Sequence, residues 1–367
     1  MIKNMDKKSL RLLIIVISIP LFLLFLLFIV KGCSSGDIYK EYQDKMISAA
    51  EKYFINNNKL PVTEGGTVTV TLEDLVKEGL ITTPSKKLDD ESCSGSVSVR
   101  NNGVSVEENK GGFYLFIPDL ECSKYKTKHL IDKLKKDVVT EKSGLYQVND
   151  GYIYKGLKVK NYVKFNGKLF RIISIDNNNI IKMIKIDSEE DYYIWDNKYN
   201  VESESNDGKN DYSDSVIVDS LLELYKKYDK NVKKHLIGYN VCYGNRSESY
   251  LEKDKISECS KRLDNQFLSL MNTYDFSFAS YDNDCIYYNS PSCENYNYLY
   301  ESISDTWLLN GTADDSYNVY YYSYGYFSLD LAVFDKTINL VVYIDGEELF
   351  EKGNGTFKNP YVISVDN

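Results

Sequence analysis

Residues 161–176, NYVKFNGKLFRIISID, hold two runs of β-branched and aromatic residues on either side of Asn166-Gly167. Residues 161–165 and 168–175 read as strands, and the Asn-Gly pair supplies a two-residue hairpin turn because both residues tolerate positive φ. Asn177 to Asn179 then turns the chain into another strand over 180–186. Hairpin-linked strands pair antiparallel, so this part predicts a mixed α+β domain and not an alternating parallel α/β unit.

Toward the carboxy terminus comes an acidic, polar passage over 187–214, in which Tyr192, Tyr193, Ile194, Trp195 and Tyr199 gather most of the strongly apolar side chains. It is long enough for a functional loop. Asp207, Asn210, Asp211 and Asp214 offer hard oxygens there, but their spacing matches no EF-hand, so no metal is expected. Residues 216–228 form an amphipathic helix whose stripe is Val218, Leu221, Leu222, Leu224 and Tyr225. Strands are expected again at 306–309, 317–322, 326–329 and 338–344.

Toward the amino terminus, Ile38, Tyr42, Met46, Ala49, Tyr53 and Phe54 recur at helical spacing behind Asp37 as N-cap, and Asn56 to Asn58 stop the helix. A strand over 67–71, a short helix over 72–79 and strands at 95–100 and 112–117 follow, with Asn101, Asn102 and Gly103 expected to supply a hairpin turn. The lysine-rich stretch 124–142, with a short helix over 129–137, reads as a solvated connection.

Residues 12–30, LLIIVISIPLFLLFLLFIV, carry no charge and nearly cover a hydrocarbon core of about 30 Å as a helix. The run exceeds the apolar region of a cleaved signal peptide. Lys3, Lys7, Lys8 and Arg11 precede it against Asp6 alone, which keeps 1–11 as a cytoplasmic tail and sends the remainder outward. Cys33 after Gly32 is a candidate lipid anchor, although Lys31 stands where a lipoprotein signal has a small uncharged residue. The expected layout is a tail at 1–11, a transmembrane helix at 12–30, a small domain at 37–127, a linker at 128–143 and a larger domain at 144–367.

A net charge of -10 excludes a basic nucleic-acid-binding surface. The 33 tyrosines accompany abundant Lys, Asn and Ile, a composition that AT-rich coding also produces, so they are not in themselves a binding surface. Cys33 aside, Cys93, Cys122, Cys242, Cys259, Cys285 and Cys293 form an even set in an oxidising compartment. Many pairings are open, and order along the chain favours neighbours: Cys93 with Cys122, Cys242 with Cys259, Cys285 with Cys293. Zinc is the alternative, but there is no C-x-x-C pair, and His129 and His235 stand apart.

The motifs AAEKYFINNNKLP, VTLEDLVKEGLI, CSGSVSV and LECSKY resemble, in that order, the pilin-like modules of bacterial surface proteins, in which an amino-terminal helix packs on a small antiparallel sheet. The chain departs from type IV pilins in lacking an acidic residue in 12–30, so the resemblance implies a membrane-attached spacer and not a polymerising subunit. Further on, NYVKFNGKLFRIISID, SVIVDSLLELYKKY, TWLLNGTADDSYNVYYYSYGYFSL and GNGTFKNPYVI resemble a domain family on surface proteins of low-GC Gram-positive bacteria. That family is in turn similar to the C-type-lectin and formylglycine-generating-enzyme type of fold. Its members end in a Gly-Val-Arg-Pro strand, whose place is taken here by Thr337-Ile338-Asn339-Leu340-Val341, so a site needing that arginine is missing.

No G-x-S-x-G elbow, P-loop or H-E-x-x-H motif is present, and neither histidine has a triad neighbourhood in sequence, so no enzyme and no cofactor are expected. The expected function is a membrane-anchored extracellular surface protein, a binding or adhesion module directed at a glycan, wall polymer or other surface protein. Its candidate ligand-binding residues are Trp195, Trp307, Tyr320, Tyr322 and Tyr324, the tyrosines alternating across a strand so that Tyr320 and Tyr322 share one face. The alternative is a structural or accessory component of an envelope or pilus-like assembly with no small ligand.

Overall fold

The computed structural model describes residues 35–84, 93–104, 112–248, 257–287, 289–300, 302–303, 305–323, 325–363 and 365. The expected tail 1–11, the membrane helix 12–30, Cys33 and Tyr324 lie outside the described residues. No helix among the described residues is long and apolar enough to cross a membrane. The architecture is α+β and rich in antiparallel strands, and the chain divides into two compact units.

The first unit comprises the described residues up to Asn58 with Val70–Val97 and Pro118–Lys126. Its helix, Ser35–Asn56, buries Tyr39, Tyr42, Met46, Ala49, Ala50 and Phe54 along one face. The Tyr39 hydroxyl donates to the Leu120 carbonyl and the Tyr42 hydroxyl to that of Thr82 at 2.9 Å, so the two phenols that enter the core keep a polar partner. A second helix, Leu72–Lys77, starts at Thr71, whose side chain accepts from the Asp74 N–H, and buries Leu72 and Leu75. Cys93 and Cys122 are bridged, with Cα atoms 4.3 Å apart.

Strands Thr67–Thr71, Ser94–Val104, Gly112–Cys122 and Tyr125–Lys126 form a sheet in chain order. The turn expected at Asn101 to Gly103 does not form, and Ser94–Val104 runs straight through it. Asn101 is buried and pairs through its backbone with Gly65 and Gly66, while its amide donates to the Pro61 carbonyl at 3.0 Å. Asn102 donates to the Lys234 carbonyl at 2.7 Å. Two buried amides with partners beside the strand hold extended backbone where the same residues in solvent would turn.

The second unit contains Lys59–Thr69, Ser98–Ile117 and Thr127–Asn367. Its nine-stranded sheet runs Leu268–Ser269, Val341–Asp345, Ile180–Lys185, Lys168–Asp176, Tyr162–Phe165, Tyr361–Ile363, Phe350–Lys352, with the hairpin Gly144–Val148 and Gly151–Lys155 joined to Lys168–Asp176. Neighbours are antiparallel except Tyr361–Ile363, which lies parallel to Tyr162–Phe165. Asn166 and Gly167 adopt φ of 47° and 71° and pair Phe165 with Lys168, the two-residue turn read from the sequence. A separate three-stranded sheet is made by Thr306–Gly311, Asn318–Ser323 and Tyr326–Leu331. The last expected strand begins only at Val341, because Asn339 spends its amide on the carbonyls of Lys185 and Ile186 and its backbone N–H on Thr306.

The helix Val216–Lys226 buries Ile217, Leu221 and Tyr225, a stripe rotated from the expected one so that Leu222 is exposed. The connection read as solvated is so only in part, because most of its side chains are exposed or half-buried but a short apolar stripe is enclosed. Its helix, Leu130–Lys135, buries Leu130, Ile131 and Leu134, and the N–H groups of Leu130 and Ile131 donate to Glu348 and Gly346. The lysines line the outer side of that short helix, and their abundance masked a three-residue apolar stripe.

Strand Lys168–Asp176 buries four successive residues, Phe170 to Ile173, so both its faces are covered and Arg171 is enclosed with them. Its guanidinium lies between the rings of Tyr162 and Tyr298, at 4.2 and 4.5 Å from their centroids. Nε donates to Asn161 Oδ1 at 3.0 Å, and Nη1 to the Tyr298 carbonyl at 2.8 Å and Ser302 Oγ at 2.9 Å. Arg171→Met keeps the apolar stem but leaves the buried Asn161 Oδ1 without its donor, since the Tyr298 carbonyl still accepts from Ser302, so stability should fall by about 2 kcal/mol in a denaturant titration, whereas Lys164→Met on an exposed strand position should change it by less than about 0.5 kcal/mol.

Candidate recognition surface and cleft

The indole N–H groups of Trp195 and Trp307, both fully buried, donate to the carbonyls of Leu308 at 3.0 Å and Tyr193 at 2.8 Å. Tyr320 and Tyr322 are buried as well, their hydroxyls bonded to the carbonyls of Arg246 at 3.3 Å and Tyr300 at 3.2 Å. Burial pushes the Tyr322 hydroxyl far above its ordinary pKa. These four residues therefore build the core and present no face to a ligand, which corrects the expectation that they line a binding surface. The alternation across the strand holds, but the shared face of Tyr320 and Tyr322 is the inner one, with Tyr321 half-buried on the other side.

Exposed aromatics lie elsewhere: Tyr192, Tyr199, Phe334 and Phe357 are scattered, and several more fall on the irregular segment that follows helix Thr273–Ala279. Tyr281, Tyr287, Tyr296 and Tyr300 are exposed there together with Ile286 at 60%, and Tyr296 reaches 62%. Tyr326, at 61%, opens the last strand of the three-stranded sheet. The Cys285–Cys293 disulfide closes the segment, with Cα atoms 4.6 Å apart and both sulfur-bearing residues buried. Asn297 donates to the carbonyls of Phe276 and Cys293 at 2.8 and 2.7 Å, Tyr281 N–H to the Tyr296 carbonyl at 3.2 Å, and Ser280 Oγ to that of Asn295 at 2.7 Å. Asp282 accepts from the Asp284 N–H and from Asn295, which holds its carboxyl below the ordinary range.

Gly325, at φ 96°, brings the chain against this segment: a Cβ there would stand 2.5 Å from the Tyr300 ring. The ring of Tyr281 lies 5.9 Å from that of Tyr146, whose hydroxyl is pushed up to about 12, chiefly by burial. The result is a set of exposed phenol rings on a tied backbone, a candidate platform. Rings held by disulfide and backbone bonds offer apolar contact area with a wettable hydroxyl at little further entropic cost. The sequence signal for these residues was their place around two neighbouring cysteines in a stretch without strand or helix periodicity.

A second feature is a cleft of about 280 Å³ in the larger unit, which Glu64, Arg100, Asn102, Asn240 and Asn265 help to line. Arg100 Nη1 is paired with Asp345. Asn265 donates to Glu64 Oε2 at 3.0 Å, while partial desolvation by the cleft wall raises the Glu64 carboxyl. Arg100 Nε and Asn102 Oδ1 have no hydrogen-bond partner.

His235 has a neighbour that the sequence did not reveal: its Nδ1 lies 2.8 Å from Glu348 Oε1, both residues buried. The Phe165 ring packs edge-on against it, and among the described residues no hydroxyl or thiol is bonded to Nε2. The acidic passage also resolves into structural contacts. Asp211 accepts from Ser213 and faces Lys261, Asp214 faces Lys198, and Asn210 donates to the carbonyls of Thr312, Asp315 and Asn318. Among the described residues no group of three or more His, Cys, Asp or Glu is arranged to hold a metal ion. No family model, curated protein or solved structure matches this chain.

With only two tryptophans in the chain, both enclosed, indole fluorescence reports burial directly. Emission should be blue-shifted and unquenched by iodide in the folded protein, and become red-shifted and quenchable in denaturant; native-state quenching by iodide would place an indole at the surface.

Proposed function

We propose that this chain is an extracellular surface protein held to the membrane by 12–30, and that its larger unit recognises a cell-wall glycan or wall polymer through the disulfide-braced tyrosine platform. The observation that carries this reading is the exposure of Tyr281, Tyr287, Tyr296 and Tyr300 on a segment tied by a disulfide and by carbonyl bonds, with Tyr326 exposed on the strand that follows it. The reading is supported by three disulfides, which persist in oxidising compartments, and by the uncharged amino-terminal stretch with its basic flank. The resemblance to pilin-like modules fits a tethering role for the amino-terminal unit, which supplies a helix beside a small sheet. Recognition of this kind involves no bond making, so no catalytic residue is assigned.

The test is a pulldown of the detergent-solubilised full chain on isolated cell-wall material. Saturable binding is expected to weaken about tenfold in Tyr296→Ser with Tyr326→Ser, while stability stays within about 0.5 kcal/mol of the parent because both rings are exposed. Binding that is absent in the parent, with stable co-purification of other envelope proteins, would replace this reading with that of a structural or accessory component.

A further inference from the structure

We infer that the cleft around Glu64, Arg100 and Asn265 is a separate binding site for a neutral polyhydroxylated ligand of about one sugar ring. This goes beyond the tyrosine platform and does not depend on it. The cleft volume, about 280 Å³, lies just under the range of roughly 300–1,000 Å³ for drug-sized ligands, which suits a single ring.

The lining selects the chemistry by elimination. Among the described residues Ile237 is the one apolar side chain that lines it, and amides and charged groups surround it. Arg100 is already paired with Asp345, so Glu64 is left as the charge that decides the lining's sign, which disfavours an anion. What remains is an array of planar polar groups: the Glu64 carboxylate, the Arg100 guanidinium, and the amides of Asn240 and Asn265. A hydroxyl donates once and accepts through two lone pairs, so vicinal hydroxyls can give a proton to Glu64 Oε1 and accept from the amide and guanidinium N–H groups together.

One further observation concerns how the cleft is kept open. Gly238 keeps the cleft open: a Cβ at that position would stand 1.8 Å from Asn265 Oδ1 and 2.8 Å from Glu64 Oε1. An alanine there would push both exposed side chains out of place at the mouth.

The experiment is saturation-transfer NMR and calorimetry on the full chain in detergent, with glucose, galactose and N-acetylglucosamine as probes and sodium phosphate and acetate as charged controls. Millimolar, saturable binding of at least one sugar is expected. It should weaken about tenfold in Glu64→Ala, Asn265→Ala and Gly238→Ala, three changes at exposed or open positions, and be unchanged in Tyr296→Ser with Tyr326→Ser. The last comparison separates this site from the platform: sugar binding lost only in the tyrosine variant overturns the cleft proposal and leaves the platform standing. Binding of none of the three sugars, equal binding by the Glu64 and Asn265 variants, or tighter binding of phosphate or acetate would also overturn it.

Discussion

A guanidinium enclosed between two phenol rings constrains the larger unit more than any other single contact. Arg171 sits in the middle of a sheet strand, and burial alone would depress its pKa and disfavour its charge. The charge survives there because Tyr162 and Tyr298 offer ring faces above and below, and Asn161, Tyr298 and Ser302 offer oxygens in the plane of the fork. Those partners come from beside and within an adjacent strand and from a segment far along the chain, so satisfying one arginine fixes where Tyr298 and Ser302 lie against strand Lys168–Asp176. Because Asn297 is itself bonded to Phe276 and Cys293, the same constraint propagates into the tyrosine platform.

The same device recurs wherever irregular chain meets regular structure. Lys182 of the central sheet is paired with Asp275, which also closes a capping box with Asn272 at the start of helix Thr273–Ala279. Glu258, enclosed beside Arg246, accepts from Thr273 and from the Tyr274 N–H, tying the disulfide-bearing segment at Cys259 to that helix. Burial raises the Glu258 carboxyl against the pull of Arg246. Buried pairs of this sort add little net stability relative to apolar packing, but removing one partner is costly, so they act as registration points that specify which loop lies where.

The regular elements were legible because their signals are local. Residues 161–176 show both strands and their turn, since Asn-Gly between alternating apolar residues satisfies propensity and packing together. The identical logic failed at Asn101 to Gly103, where the decisive partners, the carbonyls of Pro61 and Lys234, are distant in sequence and cannot be anticipated from turn chemistry. The short helix Leu130–Lys135 was legible but its burial was not, for a related reason: three apolar residues among lysines are too few to outweigh composition, yet all three are buried. Cysteine neighbours were read correctly because short loops leave little choice of partner.

Four of the candidate residues are core for a physical reason that also explains where rings stay in solvent. Large aromatic rings on regular strands are the natural core of a sheet, since each buries about 150–250 Å² and the strand aims it inward with its neighbours. Trp195, Trp307, Tyr320 and Tyr322 follow that rule. A ring remains in solvent where the backbone is committed elsewhere, by a disulfide or by carbonyls already engaged, and cannot fold the side chain under. Tyr281, Tyr287 and Tyr296 meet that condition around Cys285 and Cys293. Exposure of those rings is therefore a consequence of how their backbone is held, and a surface whose aromatic groups cannot retreat is the kind that gains most from a partner that covers them.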